Sequence, residues 1–302
     1  MKKVEIYVLA GFLGSGKTTL LSRLISSSRE RGLRVGVILN ELGKVSVDSA
    51  VIDSSTPLKQ LLNGCICCSL QGKFELQLEE MIANESLDVI YIEATGAAHP
   101  FAIIDVCLSP LYADRVDFRG VITVVDLNRY RQLEFLPSEI QELILEQIRF
   151  ADFLILNKID LISEIEVGKF LFQIRAFNPQ AKILLTKFAQ VSINELEKLK
   201  PSPKSNNKLL HISKHLDFQT LVYRFTKSVS YNDFHIFFAE LPKTIIRVKG
   251  FVRFTHSPTL YSFQYAWGEP ILLPYEEKAN ELIVIIGYDI DEEKLIKSLQ
   301  RL

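Results

Sequence analysis

The stretch that most constrains this chain is Gly11-Phe12-Leu13-Gly14-Ser15-Gly16-Lys17-Thr18. It follows the apolar run Val4–Ala10 and opens into the helix-like segment Thr19–Arg31. A strand, a glycine-rich turn and a helix in that order form a cradle for phosphate. The glycines let the backbone wrap closely, successive N–H groups point inward, and the helix start adds partial positive charge. Lys17 is expected to reach β- and γ-phosphates as a catalytic cation, and the Thr18 hydroxyl to bind Mg²⁺. Gly11, Gly14, Ser15, Gly16 and Thr19 complete the expected nucleotide contacts.

The rest of the first two hundred residues repeats the theme. Short β-branched runs (Val35–Leu39, Val89–Ile92, Val121–Val125, Phe153–Leu156, Ile183–Leu185) alternate with helix-like segments (Phe74–Ala83, Glu139–Arg149, Ile165–Phe177). In Glu139–Arg149, Ile140, Leu143, Ile144 and Ile148 recur at helical spacing. Such alternation predicts an α/β, doubly wound, mainly parallel sheet, with ligands at the carboxyl ends of the strands. Pro-Ser-Pro-Lys-Ser-Asn-Asn-Lys at 201–208, just after Lys200, reads as a linker. Beyond it, Ile245–Phe254, Leu260–Trp267 and Glu281–Ile286 predict antiparallel strands, and Phe234–Leu241 and Asp291–Leu302 predict helices. The expected organisation is a nucleotide-binding domain over 1–200, a linker over 201–208 and a smaller α+β domain over 209–302.

Asn157-Lys158-Ile159-Asp160 follows a strand downstream of the phosphate loop. A carboxylate there can accept from guanine N1–H and N2–H₂, whereas adenine would leave it unpaired, so GTP is the expected nucleotide. Asn157 is expected at the base edge or against the phosphate loop, and the Lys158 stem along the ring. An ATP-using P-loop enzyme is the rival reading. Glu93, in Glu93-Ala94-Thr95-Gly96, is expected to hold Mg²⁺ or position the attacking water. Gly96 would donate its N–H to a γ-phosphate and so act as a switch. Asp48 is a second candidate for the Mg²⁺ sphere.

Three of the four cysteines, Cys65, Cys67 and Cys68, fall within four residues, and Cys107 stands alone. A disulfide framework would space them out. Clustered thiolates suit a soft transition metal such as Zn²⁺, with water or a carboxylate as fourth ligand. Glu41 and His99 are candidates from nearby loops. Redox chemistry and plain apolar packing are the competing readings. A near-neutral balance, 35 basic against 36 acidic residues, offers no electrostatic reason to expect nucleic acid or an anionic membrane. Without an apolar run of spanning length, a cytoplasmic protein is expected.

These residues in this order resemble the CobW-type P-loop GTPases, relatives of the urease and hydrogenase maturation GTPases. The matching segments are Gly11–Thr18, Asn40-Glu41-Leu42-Gly43 with Asp48, Asn63-Gly-Cys-Ile-Cys-Cys68, Glu93–Gly96 before His99-Pro100, Asn157–Asp160 and Asn178-Pro-Gln-Ala181. Arg247-Val-Lys-Gly250-Phe and Ile286-Gly287 resemble the family's C-terminal domain. The resemblance implies slow GTP hydrolysis coupled to delivery of Zn²⁺ or Co²⁺ to a client metalloprotein, with a homodimer admitted. A GTP-switched regulator with a structural metal, and a dedicated activator of one metalloenzyme, are the other functions it admits. Two departures stand out: Lys44 occupies a position where relatives often carry an acid, and no histidine-rich stretch occurs.

Overall fold

The computed structural model describes residues 3–41, 58–62, 69–84, 86–97, 99–191, 195–196, 218–266, 270–288 and 290–302. Lys44, Asp48, Cys65, Cys67, Cys68 and the expected linker lie outside them, as does the side chain of Glu41. The chain divides into two compact units: Met1–Cys107 with Asp114–Lys200, and Leu108–Ala113 with Pro201–Leu302.

The first unit is built on seven parallel strands: β1 (Val4–Ala10), β2 (Val35–Glu41), β3 (Leu58–Leu62), β4 (Val89–Glu93), β5 (Val116–Asp126), β6 (Phe153–Asn157) and β7 (Lys182–Leu185). They lie in the order β3-β2-β4-β1-β5-β6-β7. Among the described residues these α-helices accompany them: α1 (Lys17–Glu30), α2 (Ser69–Asn84), α3 (Pro100–Cys107), α4 (Leu127–Tyr130), α5 (Ser138–Arg149) and α6 (Glu164–Phe177). Strands β4 and β6 are buried along their whole length, which explains why they read as unbroken apolar runs rather than alternating ones. Leu20, Leu21, Leu24, Ile25 and Ser28 form the buried face of α1, and the Ser28 hydroxyl bonds Tyr91 of β4 at 2.8 Å. Ser163 and Glu166 form a capping box that starts α6. Asn178 ends it: its amide donates to the carbonyls of Ile148, Arg149 and Ala151, and its side-chain oxygen accepts from the Ala181 N–H. Those four bonds account for the Asn178–Ala181 segment as a fold element.

The second unit holds a five-stranded antiparallel sheet, β8 (Phe218–Arg224), β9 (Ile245–Arg253), β10 (Leu260–Tyr265), β11 (Ile271–Tyr275) and β12 (Leu282–Tyr288), in the order β11-β10-β9-β12-β8. Helices α7 (Tyr231–Ala239) and α8 (Glu292–Arg301) supply Phe234, Phe237, Phe238, Leu295 and Leu299 to its core. Gly250 sits where β9 meets β12: a Cβ there would lie 2.4 Å from the Leu282 carbonyl oxygen.

Every apolar run foreseen as a strand is one, and the fold class holds. Strands β3, β8 and β11 and helices α3 and α4 lie outside the segments the sequence pattern predicts. No helix among the described residues is long and apolar enough to cross a membrane.

Candidate functional site

Parallel pairing brings the carboxyl ends of β1, β4, β5 and β6 together, with Ala10 beside Thr123 and Asp126 beside Asn157. The phosphate loop leaves β1 there. Gly11 adopts φ 131° within reach of the Val124 carbonyl, so its hydrogen is the only side chain the position tolerates. Gly16 caps α1 at φ 110° with no side chain closing the helix start. That leaves the first N–H groups of α1 as an anion site. Lys17 folds back, its Nζ 3.4 Å from the Phe12 carbonyl, and is 7% exposed. Burial pulls its pKa below the ordinary lysine value, while the Glu93 carboxylate opposes that pull. Bound phosphate would oppose it further. Ser15 is buried, and Thr19 faces outward beside Thr18.

Thr18 donates its hydroxyl to Glu93 Oε1 at 2.8 Å, joining residues seventy-five apart in sequence. A hydroxyl in the first turn of α1 and a buried carboxylate at the end of β4 are hard oxygen donors, a set that fits Mg²⁺. Gly96 is buried three residues further on. A Cβ added to it would meet the Leu13 backbone nitrogen at 2.6 Å, so this loop lies directly on the phosphate loop.

At the base side, Asn157 is 2% exposed and bridges two loops. Its amide donates to the Ser15 carbonyl at 2.8 Å, and its side-chain oxygen accepts from Ala189 N–H at 2.9 Å. Of the two roles expected for Asn157, this is the brace. Lys158 adopts a left-handed φ of 61°, held by its ammonium on Asp126 Oδ2 at 2.7 Å. Asp160 follows in a single exposed turn. An arginine guanidinium, Arg129, lies 5.3 Å above the Phe12 ring of the phosphate loop.

His99 has both ring nitrogens engaged: Nδ1 accepts from the Phe101 N–H and Nε2 lies 2.9 Å from Glu146 Oε2. It starts α3 and packs edge-on against Phe150. Among the described residues no three metal-binding side chains gather. The backbone nevertheless relates two parts of the candidate metal set. Glu41 pairs with Leu62, the last residue of β3, which the Asn63–Cys68 run follows in sequence. Leu39 of β2 pairs with Glu93 in turn. Cys107 is buried among core residues, and burial pushes its thiol far above the ordinary range.

Three contributors escaped the sequence reading. Asp126 ends an apolar run as Glu93 does, so the same signal could have found it. Gln147 and the turn after β7, where Phe188 and Ala189 take positive φ, carry no local signal.

A glycine-wrapped helix start, a buried lysine and a hydroxyl–carboxylate pair define a P-loop nucleotide-binding protein. The chain belongs to the CobW/HypB/UreG family: residues 5–185 match its nucleotide-binding domain, and 218–302 match the cobalamin synthesis protein cobW C-terminal domain. It is 28% identical to the zinc chaperone YjiA of Escherichia coli K12 over 98% of this chain and 97% of that protein. It is 29% identical to zinc-regulated GTPase metalloprotein activator 1 of Dictyostelium discoideum over 65% of this chain, and 32% identical to the zinc chaperone CobW of Sinorhizobium over 53%. The chain spans 48% and 52% of those last two relatives, about half of each. Zn(II)-bound YjiA GTPase from E. coli shares the fold, with a TM-score of 0.53 at 21% identity over 100% of this chain and 99% of that one.

Proposed function

We propose that this protein binds Mg·GTP, hydrolyses it slowly to GDP and phosphate, and couples that cycle to holding and delivering a transition metal, zinc before cobalt, to a client metalloprotein. The observation that carries the reading is the convergence at one sheet end. The phosphate loop follows β1, Glu93 ends β4, and β3 leads in sequence into Cys65, Cys67 and Cys68. The names of the relatives support zinc as the cargo.

Lys17 supplies positive charge against the negative charge that the phosphate oxygens develop as the β–γ bond breaks. The N–H groups at the start of α1 orient those oxygens. Thr18 and Glu93 are the residues that would hold Mg²⁺, with Asp48 as a further candidate outside the described residues. When bound, the ion draws charge off the β- and γ-oxygens. Glu93, buried beside Thr18, is also placed to orient the attacking water. Asp160 selects guanine, and Asn157 holds its loop to the phosphate loop. The cargo metal sits on the thiolates of Cys65, Cys67 and Cys68, with Glu41 or His99 as further ligands. His99 must first leave Glu146 to serve. A reducing, cytoplasmic compartment keeps the thiols available.

The test is linkage. If metal and nucleotide are coupled, Zn²⁺ changes GTP affinity by the same factor by which GTP changes Zn²⁺ affinity. GTP binding is titrated with and without Zn²⁺ in the wild type and in a C65S/C67S/C68S variant. The expected result is a Zn²⁺-dependent shift that the variant abolishes. GTP affinity unmoved by both metal and substitutions sinks the coupling.

A further inference from the structure

We infer that Gln147 is a positioning residue for the loop after β4, holding Gly96 where a γ-phosphate meets it; the inference rests on the GTPase reading above. Gln147 lies on α5 and is 2% exposed. Its side-chain amide donates to the Gly96 carbonyl at 3.1 Å. Its backbone carbonyl accepts the hydroxyl of Thr123, on central strand β5, at 2.8 Å. The sheet therefore holds this turn of α5, and the turn holds Gly96.

The neighbouring residue secures the far end of the same loop. Glu146 pairs with His99 at 2.9 Å, three residues beyond Gly96. Two consecutive residues of α5 thus grip the loop at both ends. On its other side Gly96 has no slack, because the Leu13 backbone of the phosphate loop lies within van der Waals reach. A glycine left to itself would let the loop swing. Pinned between α5 and the phosphate loop, it presents one geometry. An uncharged amide suits the role: it holds a buried carbonyl and adds no charge beside the phosphates.

The consequence is specific to the third phosphate. GDP occupies the phosphate loop and makes no use of Gly96. GTP would have to order a loosened loop itself, and that cost appears in its affinity and turnover. The variants are Q147M, which keeps the length and removes the donor, and E146Q, which weakens the outer, partly exposed contact. Fluorescent GDP and a non-hydrolysable fluorescent GTP analogue are titrated, and GTP turnover is measured, after thermal unfolding confirms the fold.

Q147M is expected to bind the GTP analogue about tenfold more weakly and to turn over at least about tenfold more slowly, with GDP affinity within about twofold of wild type. E146Q is expected to move in the same direction by less, and it carries the test if Q147M does not fold. Equal loss of GDP and GTP binding in the folded variants overturns the inference, since the residue would then support the phosphate loop in general. So does wild-type behaviour of both variants. A wild-type protein that binds no GTP sinks the GTPase reading, and this inference with it, before any variant is made.

Discussion

Replacing Asn157 with alanine cuts a side chain that ties the phosphate loop to the turn after β7. The amide is buried, donating to Ser15 and accepting from Ala189. Alanine removes both bonds and leaves a carbonyl and an N–H without that partner in a closed space. An unsatisfied buried backbone group costs about 1–3 kcal/mol, so two cost about 2–6 kcal/mol. A water entering the vacated volume would bring the loss toward the lower end. A domain stable by about 5–15 kcal/mol survives that loss folded, though weakened. Both nucleotides should suffer, because both use the phosphate loop. A loss of at least about tenfold in GDP and GTP affinity, roughly 1.4 kcal/mol, is expected. Urea unfolding followed by circular dichroism, alongside a fluorescent-GDP titration, reads the two effects. In N157D the variant carboxylate faces the Ser15 carbonyl, acceptor against acceptor, and should fare no better than alanine. An N157A protein within about 0.5 kcal/mol of wild type that binds GDP normally would refute the claim that this bridge holds the site together.

Two further substitutions test the frame around it. In G16A the new Cβ meets the Asn157 amide nitrogen at 2.7 Å, at a φ of 110° that alanine resists, so nucleotide binding should be lost with about 1–3 kcal/mol of stability; normal GDP binding would contradict the geometry. Asp152, at the foot of β6, has its carboxyl pushed up to about 7 by burial, against a bond from the Val121 N–H that favours the charged form. The unfolded chain releases that proton near pH 4, so wild-type stability falls as pH rises from about 4 to 7 and the penalty is complete above 7. D152N can still accept from Val121, and it should be more stable than wild type at pH 8, by up to ~4 kcal/mol, with the gap closing toward pH 4. A pH-independent difference in urea midpoints would show that burial does not set the titration of Asp152.

The fold was legible where local pattern and tertiary demand coincide. Val89–Ile92 and Phe153–Leu156 are apolar throughout because parallel strands are covered on both faces, and Val4–Ala10 is broken only by the half-buried Glu5. Strand β3 escaped because Leu58-Lys59-Gln60-Leu61-Leu62 is neither continuously apolar nor alternating; it earns its place by pairing with β2. Strand β11 carries a proline and two exposed large apolar residues, which suits an edge and obscures the pattern. The six residues Leu108–Ala113 belong to the second unit although they sit in the middle of the first unit's sequence. Composition cannot reveal such an excursion, because the strands that Pro110–Tyr112 contacts, β9 and β12, lie far along the chain.

The site divides along the same line. Lys17, Thr18 and Asp160 could be named in advance because the groups proposed for them, phosphate, Mg²⁺ and guanine, impose fixed chemistry at fixed spacing. Glu93 was legible for a related reason, since a carboxylate at the end of a buried strand has few other uses. Gln147 and Ala189 have no such signature. A glutamine on an amphipathic helix is ordinarily a solvent-facing residue, and only a partner fifty-one positions away makes this one otherwise. The residues that touch ligand are therefore written in motifs, while those that hold the motifs in register are written in contacts. Asn157 does both: the motif announces it as a base-side residue, and its two buried bonds assign it to the bracing between loops. N157A, which should weaken both nucleotides, and Q147M, which should weaken only the one with a third phosphate, separate the two kinds of support by experiment.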